Sequence, residues 1–144
     1  MKVLHLSTHL NAGGITQYIL LLRQNQKHED VEHHSLSSGG EWEELYQTNS
    51  IQVHHAFIRT KSELNPKLYF SIPHILKIIE REKIDILHAH PRVTQVLAHW
   101  LQKCSKKPIV TTCHGFFDPK LGRQLLPAWG DRTIAISQPV AQSL

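Results

Sequence analysis

Strand-like and helix-like segments alternate along this chain, and the alternation constrains its fold more than any other feature. Short apolar runs of the kind found in buried strands recur, and the residues between them carry apolar positions at steps of three and four. The predicted strands are 3–7, 31–38, 50–58, 84–88, 108–112 and 132–136. Because parallel strands need crossover connections, the pattern predicts a Rossmann-like, doubly wound α/β fold, with a mostly parallel sheet and helices on both faces.

Capping residues and prolines place helices between these strands. One helix is predicted from Ile15, where apolar residues follow at helical spacing, and a short one over 41–47. Pro91 suits the first position of a helix whose apolar face continues to Cys104. Three further signals are Asn65 with Pro66, which open a helix, Pro73, which kinks or restarts it, and Ser137, which caps a final helix.

The composition fits a single domain, which we place at residues 1–144. With 40% hydrophobic residues, seven glycines and seven prolines, the chain can bury one core and has no mark of disorder. A net charge of +4 favours anionic partners, but the basic residues form no long run, which argues against nucleic acid. Only two cysteines, no signal-peptide pattern and no apolar stretch of membrane length together indicate a cytoplasmic protein.

Polar residues and glycines follow the predicted strands at the points where the strands end. The segments are 8–14 after the first strand, 89–92 after the fourth, 113–117 after the fifth and Ser137 after the sixth. The carboxyl ends of parallel strands meet at one edge of a sheet, and ligands of open α/β sheets bind there. We therefore expect these segments to converge on a functional site.

Gly13 and Gly14 stand between the first predicted strand and the first predicted helix. Unpaired N–H groups at a helix start, with no side chains in the way, form a site for a phosphate, which is one interpretation. The other is a tight turn that needs a positive φ angle. The residues do not form the G-x-G-x-x-G dinucleotide fingerprint, and the chain has no Gly-Lys-Ser/Thr phosphate loop.

His114 is a candidate catalytic residue because Gly115 follows it, so that a flexible backbone can aim the imidazole into the cleft. There it would supply a hydrogen-bonding or acid–base group near pH 7; the alternative is a structural, hydrogen-bonded histidine. His88 and His90 are expected on the same side of a strand, with His114 as a neighbour. No carboxylate or cysteine completes a ligand set by spacing, so no metal is predicted.

Two other histidine pairs are given no functional role by the sequence. His33 with His34, and His54 with His55, are expected to be solvated residues near strand ends rather than metal ligands. No G-x-S-x-G elbow occurs and neither cysteine has a recognisable nucleophile setting, so covalent hydrolysis is not expected.

Four segments, in this order along the chain, carry a family resemblance. They are MKVLHLSTHLNAGGITQYILLL, IDILHAHPRVTQVLAHWL, PIVTTCHGFF and DRTIAISQPVAQSL. Together they resemble the amino-terminal domain of family 4 glycosyltransferases, which have the two-domain GT-B fold. The resemblance covers nearly the whole chain, and residues 40–80 match only loosely.

This resemblance implies transfer of a sugar, with retention of configuration, from a UDP- or GDP-sugar donor without a separate cofactor. The acceptor would be a glycan or a lipid-linked molecule, as in polysaccharide or lipopolysaccharide biosynthesis. By position, Gly13 and Gly14 match the loop that meets the donor diphosphate, and His114 matches the histidine that faces the donor sugar. Both implied roles agree with the interpretation reached from the residues themselves.

The amino-terminal domain of such enzymes mostly holds the acceptor. Candidate acceptor contacts are Asn11, Arg59, Lys61, His90, Arg92, Thr94 and Gln95, and a solvated rim is the alternative for the polar helix start and the basic loop. The donor-binding carboxyl-terminal domain of the family is not found in these residues, and the chain ends at Leu144 within the last predicted helix. Alone, the chain is expected to be inactive.

Two other functions stay open at this point. One is a stand-alone module that binds a sugar or phosphate without turnover, and the other is the amino-terminal half of a nucleotide-sugar epimerase, since some epimerases share the GT-B fold. Peripheral contact with the inner face of a membrane is a further expectation, because the basic charge and segment 66–79 suit an anionic surface. The same apolar stripe is typical of a buried core, which we favour.

Overall fold

The predicted alternation of strands and helices is confirmed by a computed structural model, which describes residues 1–26, 30–115 and 125–143. The strands are β1 (Lys2–Leu6), β2 (Glu32–Ser37), β3 (Ile51–His55), β4 (Ile86–Ala89), β5 (Ile109–Cys113) and β6 (Arg132–Ala135). The helices are α1 (Gly14–Gln24), α2 (Glu43–Thr48), α3 (Pro66–Phe70), α4 (Ile72–Arg81), α5 (Arg92–Ser105) and α6 (Gln138–Gln142). Phe116, Phe117 and Leu144, which belong to two of the sequence motifs, lie outside the described residues.

The six strands form one sheet in the order β3-β2-β1-β4-β5-β6, and every neighbouring pair is parallel. This is the strand order of a Rossmann-like fold. The sheet is fully parallel in the described residues, where the sequence indicated only a mostly parallel one. The order reverses between β1 and β4, so a crevice opens beyond the carboxyl ends of these two strands, as such a switch point requires.

One face of the sheet is covered by α4 and α5, which pack on alternate residues of the strands. Along β1, Leu4 and Leu6 point into this layer, while Val3 and His5 point the other way. The principal core therefore consists of strand residues Leu4, Leu6, Leu36, Leu87 and Ile109 with helix residues Ile75, Ile78, Ile79, Val93, Leu97 and Leu101. Burial of this many aliphatic side chains is the main source of the domain's stability.

The opposite face is covered in part by α1 and α2, around a smaller core of Leu10, Ile19, Leu20, Tyr46 and Ile51. At its centre this face is polar, since His5, His33 and His88 lie beside Leu22 and Gln26. This contrast between the two faces sets the position of the histidines described below.

Helix starts follow the sequence signals, with one shift. The side chain of Asn65 accepts a hydrogen bond from the Lys67 backbone N–H, and that of Ser137 accepts from Val140. Pro73 lies in the first turn of the restarted helix α4. Pro91, predicted as the first helical residue, is instead the N-cap of α5, in an extended conformation. A proline has no N–H to donate, so it is tolerated at either position.

The segment 66–79 forms part of the core, as expected for an apolar stripe at helical spacing. Leu68, Ile75, Ile78 and Ile79 are buried, whereas Phe70 is 81% exposed. In the parts of the chain that the structure describes, no helix has the length and apolar character needed to cross a bilayer.

Candidate functional site

The loop between β1 and α1 brings Gly13 and Gly14 to the carboxyl edge of the sheet. Gly13 has φ 172° and ψ 168°, an extended conformation open to any residue, and among the described residues the glycines with positive φ are Gly39 and Gly130. The tight-turn interpretation of Gly13 and Gly14 is therefore wrong. A Cβ at Gly14 would meet nothing within 4 Å and one at Gly13 only the Asn11 carbonyl oxygen at 3.9 Å, so the space in front of this loop is open.

Hydrogen bonds to the β2–α2 loop hold the glycine loop in place. The Leu10 N–H donates to the Gly39 carbonyl (3.0 Å) and the Trp42 N–H donates to the Leu10 carbonyl (2.9 Å). Asn11 takes part in the same scaffold, since its backbone carbonyl accepts from the Thr16 hydroxyl at 2.8 Å. Asn11 is thus placed next to the glycines, as predicted, but its backbone serves the loop itself.

The start of α1 is suited to an anion. It has no side-chain cap and no acidic residue in its first turn, so positive partial charge at the helix end is not neutralised by the helix's own residues. A carboxylate already lies at the preceding residue: Glu41 Oε1 accepts from the Ala12 N–H at 2.9 Å. The helix start itself therefore favours negative charge, and the space where side chains at Gly13 and Gly14 would lie is open.

Gly14 and His114 line the same cleft, which has a volume of about 720 Å³. Tyr18 of α1 lies between them, with its ring edge-on to the His114 imidazole at a centroid distance of 5.0 Å. Ile134 and Ile136 form the far wall and are 41% and 48% exposed. The structure thus brings together Gly14 and the candidate catalytic His114, which are 100 residues apart in the sequence.

His114 is half-buried at the end of β5, and burial lowers its pKa below the ordinary histidine value. The neutral imidazole is therefore the main form at pH 7. Its Nε2 lies 3.1 Å from Nδ1 of His90, which is 1% exposed. His90 is consequently a partner behind His114 rather than a residue on the cleft surface.

The structure contradicts the expectation that His33 and His34 are solvated. They are 7% and 0% exposed. His33 Nδ1 lies 2.8 Å from His5 Nε2, and His34 Nδ1 lies 3.0 Å from His54 Nε2. Their polarity made an exposed position the natural expectation, but burial of a polar group is tolerated when a partner satisfies it, and here the partners come from neighbouring strands.

The ring nitrogens of His5, His88 and His90 approach one another within 4.8 Å, a spacing compatible with a common metal ion. Both ring nitrogens of His5 and both of His90 are, however, within hydrogen-bond distance of other histidines. His88 Nε2 lies 2.7 Å from the Thr112 hydroxyl. Because these nitrogens already have partners, we do not assign the three residues as metal ligands, and the prediction of no metal stays a prediction.

The candidate acceptor residues of α5 are all engaged in contacts within the protein. Thr94 and Gln95 are fully buried: the Thr94 hydroxyl donates to backbone carbonyls, among them that of Leu6 at 3.1 Å, and Gln95 Nε2 donates to the His90 carbonyl at 3.1 Å. Arg92 is bound to the segment before β6, donating to the Leu126 and Pro127 carbonyls at 2.5 and 2.8 Å. These side chains organise the cleft wall from behind.

Arg59 and Lys61 lie on the loop after β3 and are not part of the cleft lined by Gly14 and His114. Both are largely solvent-accessible, and the Arg59 backbone N–H donates to the Ser38 hydroxyl at 2.8 Å. They stand beyond the carboxyl ends of β2 and β3, on the same edge of the sheet as the glycine loop. Their position outside the cleft suits contact with a ligand that extends beyond it along this edge of the sheet.

A sequence comparison decides the family of this domain. The profile of Glycosyltransferase Family 4 matches residues 12–144, nearly the whole chain. The chain belongs to Glycosyltransferase Family 4. A comparison with curated protein sequences gave no significant match.

Solved structures similar to this family 4 domain have the GT-B fold. HepE from Anabaena, solved in complex with UDP-glucose, superposes with a TM-score of 0.73 at 16% identity over 99% of this chain and 39% of its own. A glycosyltransferase from Rickettsia africae gives 0.72 at 17% identity over 98% and 38%. A UDP-GlcNAc 2-epimerase from Neisseria meningitidis, bound to UDP-GlcNAc, gives 0.54 at 16% identity over 90% and 36%. The family 4 chain thus spans less than half the length of these structures.

Sequence reasoning missed two parts of the family 4 site. Tyr18 falls in the apolar pattern of the helix predicted from Ile15, which gives no sign of its contacts with the rings of both His114 and His90. The buried pair His5 and His33 was also missed. Its signal was available, because His5 alternates with the core residues Leu4 and Leu6 and so had to face the opposite side of the sheet.

Proposed function

We propose that this chain is the acceptor-side domain of a retaining glycosyltransferase that moves a sugar from a nucleotide-sugar donor to a glycan or lipid-linked acceptor. The observation that carries the proposal is the shared cleft of Gly14 and His114 at the switch point of a family 4 domain. The complex of HepE with UDP-glucose supports a UDP-sugar as the donor class, and a GDP-sugar is the other candidate.

In this mechanism the open glycine loop receives the donor diphosphate. The N–H groups of Gly13 and Gly14, at the start of an uncapped helix, point at the group that gains negative charge as the glycosidic bond breaks. Because they are fixed before the reaction, they stabilise that charge without reorganisation. Any side chain at these positions would occupy the space that the phosphates need.

His114 is placed to contact the donor sugar in the same cleft. Its neutral imidazole forms a hydrogen bond with a sugar hydroxyl, and this contact orients the anomeric carbon toward the acceptor. No residue of the described chain is assigned as a nucleophile, in keeping with the front-face reaction that we propose. Arg59 and Lys61 on the rim are the candidate acceptor contacts, and a phosphate-bearing acceptor suits their charge.

Turnover is proposed to need a second domain. The solved structures are more than twice as long as this chain, and the cleft described here has one wall from the glycine loop and another from β6. The test is the intact mass of the natural polypeptide, recovered from its source cells with an antibody against this domain. A mass more than twice that of 144 residues would indicate that the natural polypeptide carries a second domain. A mass equal to that of 144 residues would favour a binding module, or an enzyme whose second domain is a separate subunit.

Replacing His114 with Ala in the natural full-length protein is expected to lower kcat about 100-fold, while the free energy of unfolding falls by only about 1–2 kcal/mol, because His90 Nδ1 loses its partner. The reason is that the half-buried ring contacts the ligand side of the cleft and contributes little to the core. Sugar transfer from UDP-glucose or a GDP-sugar is the measurement, with the exposed His74→Ala as control. An unchanged kcat would remove His114 from the mechanism.

The same assay separates transfer from epimerisation. A transferase releases the nucleotide only when an acceptor is present, whereas an epimerase interconverts the nucleotide sugar itself. Formation of an epimeric nucleotide sugar without an acceptor would contradict the transferase proposal and support the epimerase alternative. The epimerase from Neisseria meningitidis has a similar fold, so the fold is compatible with either reaction.

Peripheral membrane contact is proposed for the segment 57–70. Phe57, Leu64 and Phe70 are 62%, 80% and 81% exposed, and the Lys67 ammonium lies 5.3 Å from the Phe57 ring centroid. Exposed aromatic and aliphatic side chains beside cations are typical of a surface that enters the headgroup region of an anionic bilayer. Such a contact would bring the domain to a lipid-linked acceptor at the inner face of the membrane, in a cytoplasmic protein.

The double variant Leu64→Ser, Phe70→Ser is expected to bind anionic phosphatidylglycerol vesicles at least about tenfold more weakly than the unmodified chain, because two apolar contacts are lost. Vesicle co-sedimentation is the measurement. Leu45→Ser, which changes an exposed leucine on α2, serves as control and should bind normally. Equal binding by all three proteins, or binding of the unmodified chain to neutral vesicles alone, would contradict the proposed contact.

A further inference from the structure

Four histidines and a glutamine form a continuous chain of polar contacts that runs from the partly buried Gln26, across the buried histidines of the sheet, to the cleft. His114 Nε2 lies 3.1 Å from His90 Nδ1, and His90 Nε2 lies 3.3 Å from His5 Nδ1. His5 Nε2 lies 2.8 Å from His33 Nδ1, and His33 Nε2 lies 2.6 Å from Gln26 Oε1. We call these five residues the histidine chain. His5, His33 and His90 are all less than one-tenth exposed.

At its Gln26 end the histidine chain has a fixed direction. Gln26 Nε2 donates to the backbone carbonyl of Val31 at 3.0 Å, and a carbonyl can only accept. The amide oxygen of Gln26 therefore points toward His33 and accepts from it. This makes Nε2 the protonated nitrogen of His33.

From His33 the direction passes along the chain one ring at a time. A neutral imidazole has one N–H and one acceptor nitrogen, so a His33 that donates through Nε2 accepts at Nδ1. His5 must then donate through Nε2, and His90 must do the same toward His5. Burial lowers the pKa of His5, His33 and His90, which keeps all three rings neutral at pH 7.

We propose that the histidine chain fixes the tautomer of His114, with the proton on Nε2, so that Nδ1 presents an obligatory hydrogen-bond acceptor to the cleft. Nε2 faces His90, and among the described residues no hydrogen bond uses Nδ1, so Nδ1 is the ring nitrogen left for a ligand. A ligand group at this position must be a donor, such as a hydroxyl. That this hydroxyl belongs to the donor sugar rests on the proposed function.

The histidine chain positions His114 and does not conduct protons. If Nδ1 took a proton and every Nε2 proton moved one ring inward, the last proton would arrive at the amide oxygen of Gln26, a very weak base. The histidine chain therefore ends at the Gln26 amide oxygen, which is too weak a base to hold the transferred proton. Gln26, His33, His5 and His90 are positioning residues, and only His114 meets the ligand.

An acceptor of fixed orientation gives selectivity. A site built to accept a hydrogen bond from a hydroxyl discriminates strongly against an analogue that lacks it, because the nitrogen is then left without a partner. If His114 could exchange tautomers, Nδ1–H would serve a ligand acceptor equally well and this discrimination would be lost.

The test is two-bond ¹H–¹⁵N correlation NMR of the ¹⁵N-labelled chain at neutral pH, which distinguishes protonated from unprotonated imidazole nitrogens. We expect His114 to show a protonated Nε2 and an unprotonated Nδ1 in the unmodified protein. A protonated Nδ1 there overturns the proposal without any variant. This measurement does not depend on sugar transfer, so failure to bind UDP-glucose would count against the proposed function and leave the tautomer result intact.

Variants at Gln26 test whether this residue controls the tautomer of His114 or only supports the fold. Gln26→Leu removes the terminal acceptor, and the fraction of the Nδ1–H form of His114 is expected to increase. Gln26→Glu restores an acceptor and should restore the Nε2–H form. An unchanged tautomer in Gln26→Leu would show that the chain does not control His114.

Titration with Zn²⁺ tests the competing use of the same nitrogens. We expect no stoichiometric binding at His5 and His90, because each nitrogen there already serves the histidine chain. One equivalent of Zn²⁺ shifting the ¹⁵N resonances of His5, His88 and His90 together would make them a metal site and overturn the proposal.

Discussion

Acidification from pH 7 to pH 4 is expected to lower the free energy of unfolding by several kcal/mol, because the native state excludes protons that the unfolded chain binds. His88 is the clearest contributor: burial, together with the nearby His114 and His33, lowers its pKa from 6.5 to about 4. Between these two values the unfolded state holds the extra proton, so the contribution of His88 is complete above about pH 6.5 and is lost as the pH falls to about 4. This shift corresponds to about 3 kcal/mol.

His5 and His90 act in the same direction, since burial is the main cause that lowers the pKa of each. Urea denaturation at several pH values between 7.5 and 4 is the measurement. His88→Gln, which can still bind the Thr112 hydroxyl but cannot titrate, should have a weaker pH dependence. A free energy of unfolding that stays constant over this range would show that the histidines are not buried as described.

The second large effect is expected at Gly40, where an alanine should destabilise the domain by about 3 kcal/mol. A Cβ at this position would overlap the backbone carbonyl carbon of Leu10 and lie 2.7 Å from the backbone nitrogen of Asn11. The obstacle is backbone on the partner side, which cannot rotate away as a flexible side chain can. The β2–α2 loop would have to separate from the glycine loop and break their shared hydrogen bonds.

Gly14→Ala provides the matched control, because a Cβ there meets nothing within 4 Å. Its effect on the free energy of unfolding should stay within about 1 kcal/mol, with a stabilising contribution from the higher helix propensity of alanine. Urea denaturation of both variants at pH 7.5 makes the comparison. Similar stabilities would show that the two loops are not packed as closely as the structure has them.

The fold and the location of the cleft could be predicted because they depend on regularities that a single sequence displays. Alternating apolar runs fix a parallel sheet, and the strand-end rule then places Gly13, Gly14 and His114 on one edge, where the structure has them. The predicted strand bounds agree with the observed ones within three residues. The binding and catalytic roles of these three residues remain proposals.

The buried polar residues could not be predicted in the same way. His33 looked solvent-exposed because histidine is polar, and its stabilising partners, His5 and Gln26, come from β1 and the segment after α1. Thr94 and Gln95 looked like surface residues at a helix start, yet their partners are backbone carbonyls of β1 and of the β4–α5 loop. In each case burial depends on a pairing between elements, which local patterns do not encode.

The polar centre of the sheet face beneath α1 also restricts how this chain can vary. Replacing one ring of the histidine chain by an aliphatic residue would leave one nitrogen of each neighbouring ring without a hydrogen-bond partner in a buried position, which costs more than the loss of a single contact. Replacing all members of the histidine chain by aliphatic residues removes that penalty, because no unpaired polar group is then left buried. Each such substitution, measured singly, would destabilise the domain, while the combined replacement would be tolerated by the fold. The histidine chain would therefore be inherited or lost as one unit.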